Sequence, residues 1–372
     1  MLTPAKIDKL SYNRVVDLYQ QLNIDICNDI IQRIDKMGDI SQTSKDQIKR
    51  LVELNGKEVF DEVLIKTSNL DDETKRALQE VYEQMAKEDL ADYKTLYEYR
   101  NKEFKLNDKQ LRILNKGVEE NNKNIRNFTN SIAFNSQRLF IDGVDKAYLK
   151  VASGAFTYDK AIHDTYREIA ATGLKMTDRA GRKVNIDVAV RRSVLTGIQQ
   201  TANDINSEIG KILDCDGYEV TAHLGARPTH EVAQGKQYAL TRENAKKYNV
   251  GYWYDRVEGT PIAELWEEPN CRHTVFPIIL GISQPSYTKE ELYEMNNKKV
   301  MLNGKEVSLY DANQQMRYIE RNIREYKRQV KILEYNNVDA TEERALLREW
   351  RERYTRVSNE TGIEKDPARV RI

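Results

Sequence analysis

Leu174-Lys-Met-Thr-Asp-Arg-Ala-Gly-Arg-Lys-Val-Asn-Ile186 and the run after it, Asp187-Val-Ala-Val-Arg-Arg-Ser-Val-Leu-Thr-Gly-Ile-Gln-Gln-Thr-Ala-Asn-Asp-Ile-Asn-Ser-Glu-Ile-Gly-Lys-Ile-Leu213, mark where this chain changes character. The first segment reads as a short hairpin turning around Ala180-Gly181. The second reads as a long amphipathic helix, because Val188, Val190, Val194, Ile198, Ala202, Ile205, Ile209 and Ile212 fall on one stripe. Almost everything before this junction has helical periodicity, and short strands and loops follow it. The junction therefore decides the class: α+β, predominantly α-helical.

Upstream, from about Ser11 to Thr172, apolar residues recur at helical spacing. Val15, Leu18, Tyr19, Leu22, Ile26, Ile30 and Ile34 define one helix, with Gly38 as a C-terminal stop. Ile48, Leu51, Val52, Val59, Phe60 and Val63 define a second. A third opens at Asp71-Asp72, where acidic side chains suit a helix N-terminus, and runs through Leu78, Val81, Tyr82, Met85 and Leu96. Further helical patterns cover roughly 108–153 and 158–172. No proline lies between Pro4 and Pro228 to break them. The polar faces mix Lys, Glu, Asp and Asn, which suits either solvated surface or packing against partner subunits.

Downstream, Tyr218–Ala222, Gln237–Leu240 and Thr274–Ile279 are strand candidates. Five of the seven prolines lie within 228–285, which marks this part as loop-rich. Met301-Leu-Asn-Gly-Lys-Glu-Val307 carries the Asn-Gly signature of a tight hairpin. Beyond it Met316, Ile319, Ile323, Tyr326, Val330 and Leu333 define a long charged helix. Another starts at Asp339-Ala-Thr-Glu and reaches about Asn359, so the tail reads as an antiparallel helical hairpin or coiled-coil arm. The organisation expected is a helical N-terminal region (1–173), a mixed α/β module (174–285) and a C-terminal helical hairpin arm (286–372).

Composition excludes several classes. The 59 basic and 59 acidic residues balance, so no global field argues for nucleic acid or a membrane surface. Mean hydropathy is −0.73, no apolar run approaches the ~20 residues of a transmembrane helix, and no secretory h-region opens the chain. Three cysteines make no disulfide framework and suit a reducing compartment.

Three of the four histidines and one cysteine gather in His223-Leu-Gly-Ala-Arg-Pro-Thr-His230 and Asn270-Cys-Arg-His273. Cys271 and His273 are two apart, so on an extended strand they share a face, and a Gly-Ala-Arg-Pro turn can fold His223 towards His230. His223, His230, Cys271 and His273 thus offer one thiolate and three imidazoles, a donor set that suits tetrahedral zinc, although the spacing is not that of a zinc finger. Alternatively, His223 and His230 can serve as acid and base in RNA cleavage, with Arg227 or Arg272 stabilising the phosphorane. No basic groove or stacking ladder accompanies them. A third reading has these residues locking a packed loop knot, with Arg227 on loop carbonyls and Gln234-Gly235 and Tyr252-Trp253-Tyr254 completing it.

The blocks His223-Leu-Gly-Ala-Arg-Pro-Thr-His230, Gln234-Gly235 and Asn270-Cys-Arg-His273, followed by Pro277 and Gly281, resemble the signature of the phage minor capsid protein 2 family, which is related to the Mu F-type head morphogenesis proteins. The likeness extends upstream through Tyr158-Asp159, Gly181-Arg182, Val188-Ala-Val-Arg-Arg192 and Thr196-Gly197, and covers most of residues 1–285. One departure is Glu264-Leu-Trp-Glu-Glu-Pro269, where relatives carry a Gly- and Trp-rich approach; its acidic charge counts against phosphate binding there.

The resemblance implies a minor structural protein of a tailed phage head. Such a protein binds the portal and inner capsid, with packaged DNA as a further partner, and assists head assembly or DNA packaging and delivery. Its place is the virion, after assembly in the host cytoplasm. On this reading His223, Gly225, Arg227, Pro228, His230, Gln234, Gly235, Asn270, Cys271, Arg272 and His273 are motif residues with a structural role. No cofactor is expected, with zinc as the alternative. Enzymatic activity is not expected, with the ribonuclease reading as the alternative.

Overall fold

The computed structural model describes residues 2–38, 43–178, 180–267 and 271–372. Among them eight helices precede the first strand: α1 (Pro4–Lys9), α2 (Asn13–Lys36), α3 (Lys45–Asn69), α4 (Asp71–Ala91), α5 (Lys94–Tyr99), α6 (Asp108–Arg126), α7 (Thr129–Ala152) and α8 (Tyr158–Thr172). Helix α2 follows the predicted stripe, and Gly38 beyond it takes a left-handed φ of +67°. Helices α3 and α6 start at capping boxes, Ser44 with Gln47 and Asn107 with Gln110.

Two runs that look continuous in sequence are interrupted. The 108–153 pattern is two helices that part at Asn127-Phe128, and the run from Asp71 to Leu96 breaks at Asp92-Tyr93. Neither junction holds Gly or Pro, so no local residue announces the stop.

Helix α9 (Ile186–Ile212) is the axis of the molecule. Val190, Val194, Ile198, Ala202, Ile205 and Ile209 are at most 1% exposed, which places the predicted stripe inside, while Val188 and Ile212 are half-buried at its ends. The helix packs against α2, α4 and α6 on one side and the sheet on the other. At the α6 crossing a Cβ on Gly197 would lie 2.2 Å from Asn121 Nδ2 and 2.4 Å from the Tyr82 hydroxyl. Any larger residue there would force the helices apart.

The mixed module begins with the antiparallel pair β1 (Lys175–Thr177) and β2 (Lys183–Asn185), whose turn uses Gly181 at φ +77°. After α9 come β3 (Gly217–Val220), α10 (Pro228–Glu231), β4 (Gln237–Ala239), α11 (Arg242–Tyr248), β5 (Gly251–Tyr252), the pair β6 (Arg256–Val257) and β7 (Thr260–Pro261), α12 (Ile262–Leu265) and β8 (Val275–Ile278). Four strands form one sheet in the order β5-β4-β3-β8, antiparallel except for β4 with β5. The three predicted core strands are β3, β4 and β8. Edge strand β8 is tied to α9 by side chains: Asn206 Nδ2 donates to Val275 O at 3.0 Å, and Val275 N–H donates to Asn203 Oδ1 at 3.0 Å. The free side of the edge is thereby satisfied where it would otherwise invite another strand.

The tail adds α13 (Lys289–Asn297), the hairpin β9 (Lys299–Leu302) and β10 (Lys305–Ser308), α14 (Leu309–Tyr335) and α15 (Thr341–Thr361). The hairpin turns on Asn303 and Gly304 at φ +52° and +75°, as the Asn-Gly pair requires. Met316, Ile319, Ile323, Leu347, Tyr354 and Val357 form a small core between α14 and α15. The opposite face of α14 is polar yet buried, and it docks on the body. Arg328 donates through Nη2 to Ala171 O at 2.9 Å and through Nε to Ala170 O at 3.3 Å, satisfying carbonyls at the end of α8. Arg324 Nε pairs with Asp187 at 2.8 Å in the first turn of α9.

Candidate functional site

The two motif blocks meet behind the sheet. In the first, Gly225 and Gly235 take φ of +68° and +69°, and a Cβ would strike Asn313 at 2.4 Å and Leu292 at 2.2 Å respectively. Both glycines are therefore needed for backbone shape and for close approach. Pro228 opens the one-turn helix α10, where its missing N–H costs nothing, and the Arg227 carbonyl accepts from His230 N–H at 2.8 Å and Glu231 N–H at 3.0 Å. This turn carries His230 inwards until it is 1% exposed.

In the second block, Cys271 and His273 point the same way and Arg272 the other. Arg272 forms an ion pair with Asp8 of α1, away from the histidines. Thr274 continues the seam: its N–H donates to Thr221 Oγ1 at 2.9 Å and its hydroxyl to Leu2 O at 2.7 Å. Asn270, together with Glu268 and Pro269 of the acidic approach, lies outside the described residues.

Three predicted ligand atoms converge. His230 Nδ1 lies 3.4 Å from His273 Nδ1, and Cys271 Sγ lies 3.5 Å from His273 Nδ1 and 3.8 Å from His230 Nδ1. All three side chains are buried. His223 is beside the group without joining it. Its ring is tilted 32° to that of His273 with centroids 4.5 Å apart, and its Nδ1 faces its neighbour's carbonyl, Leu224 O, at 3.2 Å. Trp266 closes the cluster, 5.5 Å from His230 edge-on and 5.1 Å from His273.

Gln234 is the organiser. Its Oε1 accepts from His223 N–H at 3.0 Å and faces His273 Nε2 at 2.9 Å, while its Nε2 donates to Asn296 Oδ1 at 2.7 Å. Asn296 Nδ2 in turn donates to Glu231 O at 2.8 Å. A backbone carbonyl at one end and a backbone N–H at the other fix both amide orientations. His273 must therefore carry its hydrogen on Nε2, so its Nδ1 lone pair faces His230 and Cys271.

Electrostatics favours the neutral form of His273 and His223. Burial, reinforced by the nearby His223, His230 and Arg227, holds the His273 pKa well below the ordinary imidazole range. Burial likewise lowers His223 to about 4, with Arg272, Arg317 and His230 adding to the effect. Neutral imidazoles present lone pairs, which makes the arrangement a set of buried donors to an electrophile. General acid work near neutral pH would need a protonated ring.

Two contributors escaped the sequence reading. Gln199, 1% exposed, donates from Nε2 to Trp266 O at 2.6 Å and to His273 O at 2.8 Å, locking the second block onto α9. A glutamine next to Ile198 in an apolar stripe was the available signal. Asn296 had none, because α13 was not foreseen; its capping box, Thr288 with Glu291, was the clue to that helix.

A sequence model of the family described as "Phage minor capsid protein 2" matches residues 2–357. A protein described as "Structural protein" of Lactococcus phage LL-H is 27% identical over 194 residues, which cover 51% of this chain and 49% of that protein. The chain thus spans about half the length of this curated relative. No solved structure matches. With His230, Gln234, Cys271 and His273 of the motif blocks buried at the meeting point of α9, the sheet and α13, and a match from the first helix to α15, the chain belongs to the phage minor capsid protein 2 family.

Proposed function

We propose that this protein docks on the portal or the inner face of the capsid while a tailed-phage head assembles in the host cytoplasm, stays in the virion, and assists packaging or delivery of DNA. The observation that carries the reading is that the family match spans N-terminal helices, module and tail together. The structure adds a consistent physical picture. Of the signature residues His230, Gln234, Cys271 and His273 are buried, and Gln234 ties the first block to His273 and to Asn296 of α13, so they act as a frame and partner contacts fall to the outer helix faces. No described helix is long and apolar enough to cross a membrane. The balanced charge favours protein partners over a purely electrostatic grip on DNA.

The test is co-expression with the phage's own portal protein, followed by size-exclusion chromatography and mass spectrometry of purified virions. The expected result is co-elution with the portal ring or with capsid shells, and peptides of this chain in mature particles. A protein that elutes alone in the presence of both and is missing from virions would refute the proposal.

A further inference from the structure

The geometry points to a zinc site formed by His230 Nδ1, His273 Nδ1 and the Cys271 thiolate. In a tetrahedral zinc centre with bonds of about 2.0–2.1 Å to nitrogen and about 2.3 Å to sulfur, two nitrogens sit about 3.3–3.4 Å apart and a nitrogen and a sulfur about 3.5–3.6 Å apart. The three edges here are 3.4 Å between the nitrogens and 3.5 and 3.8 Å to sulfur. Two of these match the edges of a zinc tetrahedron and the third, from Cys271 Sγ to His230 Nδ1 at 3.8 Å, is about 0.2 Å longer.

Hydrogen bonding among the three atoms explains the convergence less well. The Gln234–Asn296–Glu231 chain puts the His273 hydrogen on Nε2, so its Nδ1 offers one in-plane lone pair and no donor. If the Cys271 thiol and a His230 Nδ1–H both donate to it, they compete for that lone pair; the Nδ1–H otherwise reaches Cys271 Sγ, a weak acceptor, at 3.8 Å. If His230 Nδ1 bears no hydrogen, two nitrogen lone pairs oppose each other at 3.4 Å. A single cation satisfies all three donors together. On binding, Cys271 gives up its thiol proton to solvent and ligates as thiolate, while both imidazoles ligate in their neutral form.

The surroundings fit a resident ion. Gln234 holds His273 through the nitrogen remote from the metal, the outer support usual for a ligating histidine. Mixed imidazole and thiolate donors in tetrahedral array favour zinc over hard, oxygen-seeking cations. Among the described residues the three donors are His230, Cys271 and His273, and tetrahedral zinc takes one further ligand. Such an ion staples α10 to the segment before β8, 41 residues away, and so joins the two motif blocks covalently in all but name.

The experiment is elemental analysis of the full chain after exhaustive dialysis. About one zinc per chain is expected in the wild type and in Cys215→Ser, falling by more than about tenfold in Cys271→Ser. Because Cys271→Ser can also fail to fold, the wild type is stripped with chelator and titrated with cobalt(II). A cysteinate-to-cobalt charge-transfer band with intense visible bands, erased by one equivalent of zinc, is expected for tetrahedral ligation that includes sulfur. Folded wild type that retains no zinc and gives no such bands overturns the site. So does zinc retained undiminished in folded Cys271→Ser and His273→Ala.

Discussion

Gln234 receives hydrogens from His223 N–H and His273 Nε2 that find no other acceptor among the described residues, and it hands its own to Asn296. Replacing it by leucine keeps the bulk and leaves these groups buried without partners. Gln234→Leu should therefore cost about 2–4 kcal/mol in urea denaturation, and a loss within error of zero would mean that water reaches the cluster. Asp89 makes a pH-dependent prediction. It is fully buried, accepts Leu2 N–H at 3.1 Å, and burial lifts its pKa to about 7 despite that bond. The folded state then holds a proton between about pH 4 and pH 7 that the unfolded chain has released. Stability should fall as pH rises through this window and level off above it. Asp89→Asn, which keeps the acceptor and removes the titration, should flatten that slope; an unchanged slope in equilibrium unfolding against pH would assign it to other groups. Asp89 did not stand out in the sequence, because a lone Asp on a helix reads as solvated surface until its neighbours are known; Gln234 was legible as a motif residue, but its hydrogen-bond partners were not.

At the scale of elements, periodicity located the helices well and their junctions poorly. A stripe of apolar residues reports which face is buried, but it runs on through a break that lacks Gly or Pro, as at Asn127-Phe128 and Asp92-Tyr93. Short strands flanked by turn residues were legible, and so was the Asn303-Gly304 hairpin. The tail showed the opposite failure. Its long helix α14 is apolar towards α15 and charged on the other face, which sequence reasoning assigns to solvent. That charged face is instead buried against the body, with Arg324 and Asp187 both about 9% exposed. Removing one partner strands the other away from water. Asp187→Ala should accordingly cost about 3–5 kcal/mol by chemical denaturation. A loss below about 1 kcal/mol, the range of exposed pairs, would show that the interface between α9 and α14 opens to solvent.

Across the whole molecule, a main apolar core runs from Leu2 through α9 and the sheet residues Ala239, Phe276 and Ile278 to Ala340, with smaller clusters around Trp253 and Trp266 and between α14 and α15 beside it. Continuity of this kind couples distant elements, so heat should unfold body and module together. Far-UV circular dichroism, which follows the helices, and fluorescence of Trp253, Trp266 and Trp350 should give coincident midpoints. Separated transitions would identify an element that melts by itself. The fold class, most helices, three of the four strands of the sheet and the blocks that carry the family likeness were determined by sequence alone. Those features depend on local period, turn chemistry and residue order, which are written along the chain. Which histidines meet was decided only in three dimensions. His230 joins Cys271 and His273 while His223 turns to Leu224, although all four looked equivalent as donors. The burial of Arg324 against Asp187, 137 residues away, is of the same kind. Period specifies that a face is buried but not which surface covers it. That choice is made when distant segments close on one another, and no local pattern records it.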